Sequence, residues 1–189
     1  MRTLIGGVGQ RDSGDHAIGA LVSDRLATDA PINAARVVVE DLSADPIEVA
    51  ERLNGEWPKF ERVIFVAAVA RARPAGTIAA YRWDGDVSND DGEQERDGDL
   101  RSAADHDLAA FDSLLLSVKR LADLPDETIV VEVEPDSTGS HHVDSLGPAG
   151  TAALERVRTL VRRLATNARA AADLPRRALG GGARENRAD

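Results

Sequence analysis

The chain is expected to adopt an α/β fold, a three-layer α/β/α sandwich with a mostly parallel central sheet. Three observations carry this expectation. Val63-Ile64-Phe65-Val66-Ala67-Ala68-Val69 is continuously apolar, as a central strand buried on both faces must be. Shorter β-branched runs alternate along the chain with segments whose apolar residues recur at helical spacing, the order that builds parallel strands with helices on both faces. A glycine-rich turn, Gly6-Gly7-Val8-Gly9, links the first apolar run to the first amphipathic one. In such sheets the loops at the carboxyl ends of the strands are the usual place for a ligand.

Leu4 and Ile5 open the first strand. Ile18, Leu21, Val22 and Leu26 define a helix over about 15–27, ended by Pro31. Arg36-Val37-Val38-Val39-Glu40 reads as the second strand. Asp45 before Pro46 is an N-cap followed by proline at the first helical position, and Val49 and Leu53 continue that short helix. The central strand follows, broken by Pro74. Gly76 to Trp83 alternates weakly and reads as a further strand. Leu108, Phe111, Leu114, Leu115, Val118 and Leu121 then lie on one face of a helix beginning at Ser102 or Asp105. Thr128 to Val133 is the next strand, ending at Glu134-Pro135. A loop with His141-His142 leads to the last helix, about 149–164, whose apolar face carries Leu154, Val157, Leu160, Val161 and Leu164.

Of 189 residues, 42% are hydrophobic and only 3% aromatic. That is enough for one aliphatic core, and the domain is expected over residues 1–166. Asp84 to Asp99 holds eight acidic residues and one arginine, most of the chain's net charge of −10. The segment 84–101 has little to bury and reads as a disordered insert. Residues 167–189, rich in Ala, Arg and Gly, read as a flexible tail. There is no cysteine, hence no disulfide and no thiolate site. No run approaches the roughly 18 apolar residues of a membrane span, and no export signal precedes the first strand. A cytoplasmic monomer, with neither membrane nor nucleic acid as partner, is expected, since no Lys/Arg cluster with interleaved aromatics is present.

Local chemistry is sparse. Gly7-x-Gly9 after a strand fits the start of a dinucleotide fingerprint, but the third glycine is replaced by Asp12, whose carboxylate repels a pyrophosphate. Asp84, Asp86, Ser88 and Asp90 have calcium-loop spacing, yet Asn89 stands where the loop requires glycine. No G-x-S-x-G elbow marks a nucleophile. His16 lies on the glycine loop, and His106 lies at a helix start between Asp105 and Asp107. Imidazoles of this kind suit nickel or zinc if they converge on one sheet edge; otherwise they are solvated side chains.

Taken together, these segments resemble the maturation endopeptidases of nickel–iron hydrogenases, over roughly residues 1–165. Leu4 to Gly19 resembles the family's opening strand and its G-x-G-N-x-x-x-x-D-D/E-x-x-G motif. Gly7, Gly9, Asp15 and Gly19 match, and Gln10 replaces the usual Asn. Val63 to Thr77 resembles the central strand and its P-G-T turn, and His106-Asp107-Leu108 the helix-head histidine. Val133 to Ser137 resembles the late strand-loop, and Ser145-Leu146-Gly147-Pro148 the approach to the last helix.

The resemblance implies an α/β/α fold and one task. Family members recognise nickel already placed in a hydrogenase large-subunit precursor and remove its C-terminal extension. The nickel belongs to the precursor, so no cofactor of the chain's own is implied. The family's metal-contacting positions fall here on His16, Ala67 and His106; the first is an acid in the family and the second an Asp. Ala67 offers no donor, leaving Asp12 and Asp15 as candidate substitutes. Gly7, Gly9 and Asp15 are the candidate substrate-binding residues, and no catalytic residue is assigned. The family's D-G-G-T after the second strand is Asp41-Leu42-Ser43-Ala44. Two readings follow: a divergent maturation protease, or a non-catalytic relative that binds a precursor or another maturation factor without cleaving it.

Overall fold

The computed structural model describes residues 1–28, 36–87, 103–136 and 145–179, with residues 56 and 103–109 as backbone alone. Among the described residues, six strands form one sheet in the order β2-β1-β3-β5-β4-β6. They are β1 (Thr3–Val8), β2 (Val37–Asp41), β3 (Arg62–Ala68), β4 (Ile78–Val87), β5 (Thr128–Val133) and β6 (Arg176–Leu179). β2, β1, β3 and β5 are parallel, whereas β4 runs antiparallel to β5. The helices are α1 (Ile18–Thr28), α2 (Pro46–Glu51), α3 (Ala103–Leu121), α4 (Pro148–Thr166) and α5 (Ala168–Ala172).

Side chains alternate across each strand, so β3 supplies both halves of the core. Ile64 and Val66 join Ile18, Val22, Leu154, Val157 and Val161 under α1 and α4. Val63, Phe65 and Ala67 join Val49, Phe111, Leu115 and Val118 under α2 and α3. This is the expected three-layer sandwich. Asp45 caps α2 as its sequence implies, its carboxylate accepting the Ile47 N–H at 2.8 Å, with Pro46 at the first position.

Two expectations are corrected. The first concerns the insert. β4 continues through Asp84-Gly85-Asp86-Val87, because Trp83 is buried and its indole donates to the Asp86 carbonyl at 2.8 Å. Asp84 and Asp86 therefore belong to a strand, while Ser88, Asp90 and the rest of the acidic segment lie outside the described residues. The second concerns the tail, which is structured as far as Leu179. Asn167 caps α5 by accepting the N–H groups of Arg169 and Ala170. β6 then pairs in parallel with β4, and Ala171 and Leu179 are fully buried. The domain thus runs past residue 166 to 179. Among the described residues, no helix is long and apolar enough to cross a membrane.

Candidate functional site at the carboxyl edge of the sheet

The loops after β1, β2, β3 and β5 all emerge at one edge of the sheet. The glycines of the first loop are packing residues. A Cβ on Gly7 would lie 2.0 Å from the Gly19 carbonyl oxygen, and one on Gly9 2.2 Å from that of His16. The missing side chains let α1 and its preceding 3-10 turn (Gly14–Ala17) press directly onto β1. The space above both glycines is therefore taken by this chain's own backbone. The loop is also tied to the one after β2: Ser43 Oγ accepts the Gly9 N–H at 2.9 Å and donates to the Gly9 carbonyl at 2.8 Å. Asp41 accepts the Ser43 N–H at 2.9 Å and Arg11 at 2.6 Å. Burial pushes the Asp41 carboxyl up, but Ser43 and Arg11 outweigh it and hold it below its usual range.

Asp15 is buried. One oxygen accepts the Asp136 N–H at 3.0 Å and the other the Gly147 N–H at 2.8 Å. Gly147 is the N-cap of α4, so the carboxylate sits where the helix presents unpaired N–H groups and partial positive charge. A Cβ on Gly150 would approach it to 2.1 Å. Asp15 thus joins the glycine loop to both ends of the connection between β5 and α4. Each of its oxygens accepts one backbone N–H of this chain. Asp12 is exposed, and His16 is half-buried in the 3-10 turn.

Ala67 is buried on the opposite face, in register with Val8 of β1 and Glu132 of β5. Around it lies a cluster for which the sequence analysis has no counterpart. The Arg71 guanidinium makes a two-pronged pair with Asp112 of α3, at 2.9 and 2.7 Å. It also reaches Glu132 Oε1 at 2.9 Å. The Tyr81 hydroxyl donates to the same oxygen at 2.8 Å, and Arg73 pairs with Glu132 Oε2. Glu134 accepts the Arg71 backbone N–H at 2.9 Å and faces Arg73 Nε at 3.4 Å. Ala72, between the two arginines, holds a left-handed backbone at φ 57°, uncommon for a residue with a Cβ.

Burial pushes the Glu132 carboxyl up, yet Arg71 and Arg73 prevail and keep it below its ordinary value. Burial and the adjacent Glu132 raise the Tyr81 hydroxyl. Burial opposes the charge on Arg71, but Asp112 and Glu132 hold it even more firmly protonated than usual. One signal of this cluster was present in the sequence: Glu132 interrupts an otherwise apolar strand. A charge there needs a buried partner.

α3 starts at this same edge. Asp112 meets Arg71 in the loop after β3, whereas Lys119 reaches Gly85 toward the far end of β4. The turn containing His106 is six residues before Asp112 and lies outside the described side chains. The 3-10 turn that carries His16 and the head of α3 thus approach one sheet edge from opposite faces. Among the described residues, no group of three or more His, Asp or Glu side chains is arranged to hold a metal ion.

No family model matches the chain, and no curated protein matches it. Solved structures do. An endopeptidase from Escherichia coli, solved in solution, is 22% identical with a TM-score of 0.61, over 88% of this chain and 94% of that one. The hydrogenase maturating endopeptidase HybD of E. coli is 21% identical with a TM-score of 0.58, over 85% and 90% of the two chains. The nickel–iron hydrogenase maturation protease HycI of Thermococcus kodakarensis is 19% identical with a TM-score of 0.54, over 88% and 93%. The chain therefore has the fold of the hydrogenase maturation endopeptidases.

Proposed function

We propose that this chain is a divergent hydrogenase maturation protease-like protein. Its partner is a hydrogenase large-subunit precursor carrying nickel, and its task in the cytoplasm concerns the precursor's C-terminal extension. The observation that carries this reading is the likeness of fold to such endopeptidases along 85% or more of the chain, together with the matching order of motifs at the carboxyl edge. In this reading the nickel is the precursor's cargo, and His16 and His106 are the side chains left to face it.

A second reading, a relative that binds without cleaving, is favoured by Ala67, which supplies no donor at the central strand. Each oxygen of the Asp15 carboxylate accepts one backbone N–H, which ties it to the connection before α4. Intact-mass analysis of a nickel-loaded precursor incubated with the chain separates the two. Loss of the C-terminal peptide with the wild type and not with His106→Ala marks a protease. An uncut precursor that co-elutes with the chain marks a binding relative. Neither cleavage nor co-elution refutes both.

A further inference from the structure

Positive charge is concentrated at one end of this acidic chain. Residues 148–179 carry seven arginines and two carboxylates, a net of +5, in a chain whose total is −10. They form α4, α5 and β6, the last being the edge strand farthest from β2. Arg82 and Arg176 are register partners in the parallel β4–β6 pair, so their side chains leave the same face of the sheet. Ile78 and Ala80 share that face of β4 and are only partly covered where they pack against the core under α1 and α4. Where α4 gives way to α5, Arg163 and Arg169 line a hollow of about 410 Å³ with Asn167, Ala170, Asp173 and Leu174. Leu174 leads through Pro175, whose carbonyl accepts the Arg82 N–H at 2.9 Å, into Arg176.

These arginines differ from those elsewhere in the chain. Arg11, Arg25, Arg52, Arg62, Arg71 and Arg73 each meet an Asp or Glu. Among the described residues, no carboxylate pairs with Arg82, Arg163, Arg169 or Arg176. Asp173 lies in the lining of the hollow without pairing with the arginines beside it. Arg82 is half-buried, and its Nε is shielded from solvent with no hydrogen-bond acceptor. Buried donors are paired almost without exception, so this guanidinium is short of an acceptor. Arg163, Arg169 and Arg176 are exposed.

We infer that the face formed by β4, β6 and the α4–α5 junction docks an acidic segment of a partner protein, carboxylates seated on guanidinium groups. The planar N–H fork of arginine matches a carboxylate in two-pronged fashion. The four arginines are spread over four elements and do not converge on one point, which fits an extended chain and not a single anion. A nucleic acid or an anionic membrane spreads its charge over a wide surface and would also meet the strongly acidic remainder of the chain. A short acidic segment feels the charges within a Debye length, about 10 Å at 0.1 M salt, and escapes most of that repulsion. Arg82 is in register with Ile129, near the amino end of β5. The face therefore lies away from the carboxyl edge, and docking there leaves the candidate site open. The inference stands independently of the proposed function.

The test is fluorescence anisotropy of a labelled decaglutamate peptide with the full-length chain. Binding is expected, and it should weaken at least about tenfold between about 0.1 M and about 1 M salt, as the screening length falls from about 10 Å to about 3 Å. Combining Arg163→Glu with Arg176→Glu, both at exposed positions, should weaken it by about the same factor. Lys59→Glu with Arg120→Glu makes the same change in net charge at exposed positions elsewhere and should alter affinity by less than about twofold. The chain's own acidic residues 88–99 compete for the face, so a variant with a neutral Gly/Ser linker of equal length there is measured in parallel. Peptide binding that appears only in the linker variant would assign the face to the chain's own segment and overturn the partner. The inference is also overturned if neither protein binds, if the two charge-reversing pairs weaken binding equally, or if a labelled thymidine decanucleotide binds more tightly than the peptide.

Discussion

Two corners of the same sheet edge solve the problem of a buried carboxylate differently. At the α1/α4 corner, Asp15 is held by neutral donors, the N–H groups of Asp136 and Gly147. At the α3 corner, Glu132 is held by two guanidinium groups and a hydroxyl. The first arrangement binds backbone to backbone and fixes where three loops lie. The second confines opposite charges in the core, where each depends on the other remaining ionised. The lesson is that charge at a sheet edge does not by itself make a ligand site. This chain has carboxylates at the edge that are paired within the chain itself.

The comparison can be broken from the charged side first. Arg71→Ala leaves Glu132 and Asp112 without their main partner, and removing one member of a buried pair typically costs about 3–5 kcal/mol. Urea unfolding should show this as the largest loss among these variants. Asp15→Ala removes the acceptor of two buried backbone donors, a loss of about 1–3 kcal/mol by the range for an unsatisfied buried group. Amide exchange should accelerate at Asp136 and Gly147 ahead of global unfolding.

Acid sharpens the contrast. Glu132 has its carboxyl depressed in the folded state. Its contribution is therefore complete above the ordinary carboxyl value, about 4.3. It is lost as pH falls through the lower folded value, where the unfolded chain binds the proton first. The urea midpoint of the wild type should drop over that window, and that of Glu132→Gln should drop less. Tyr81 acts in the opposite direction. Its hydroxyl is raised on folding, so its contribution is intact below about pH 10 and is lost above it. Tyr81→Phe should flatten that alkaline decline. The smallest effect belongs to Arg11→Ala. Arg11 pairs with Asp24 and Asp41 while nearly half exposed, and exposed pairs contribute about 0–1 kcal/mol. A change in unfolding midpoint larger than that would give this surface pair an unexpected role in holding the glycine loop.

Much of the architecture was legible in the residues. The all-apolar run at Val63 marked the central strand, the Asp45-Pro46 pair marked a helix start, and the stripe from Leu108 to Leu121 marked the helix covering one face. Each is a local signal, set by side-chain period or by a capping group two residues away. What escaped was non-local. Arg176-Arg177-Ala178-Leu179 has no alternation to mark it as a strand. It becomes one because β4 offers an unpaired edge and the core leaves room for Leu179. The extension of β4 into the acidic segment likewise follows from Trp83 and from pairing, not from local propensity.

The candidate site divides along the same line. Sequence order placed His16 on the glycine loop and His106 at a helix head, and the topology brings both segments to one edge. It did not reveal that Asp15 reaches residues 121 and 132 positions away, nor that Arg71 meets Glu132 across 61. Residue type and period determine which segments are strands and helices, because those choices are made over a few neighbours. Which charges neutralise one another is decided only when the sheet brings distant segments within hydrogen-bond reach. Water is then excluded, and every buried polar atom must find a partner.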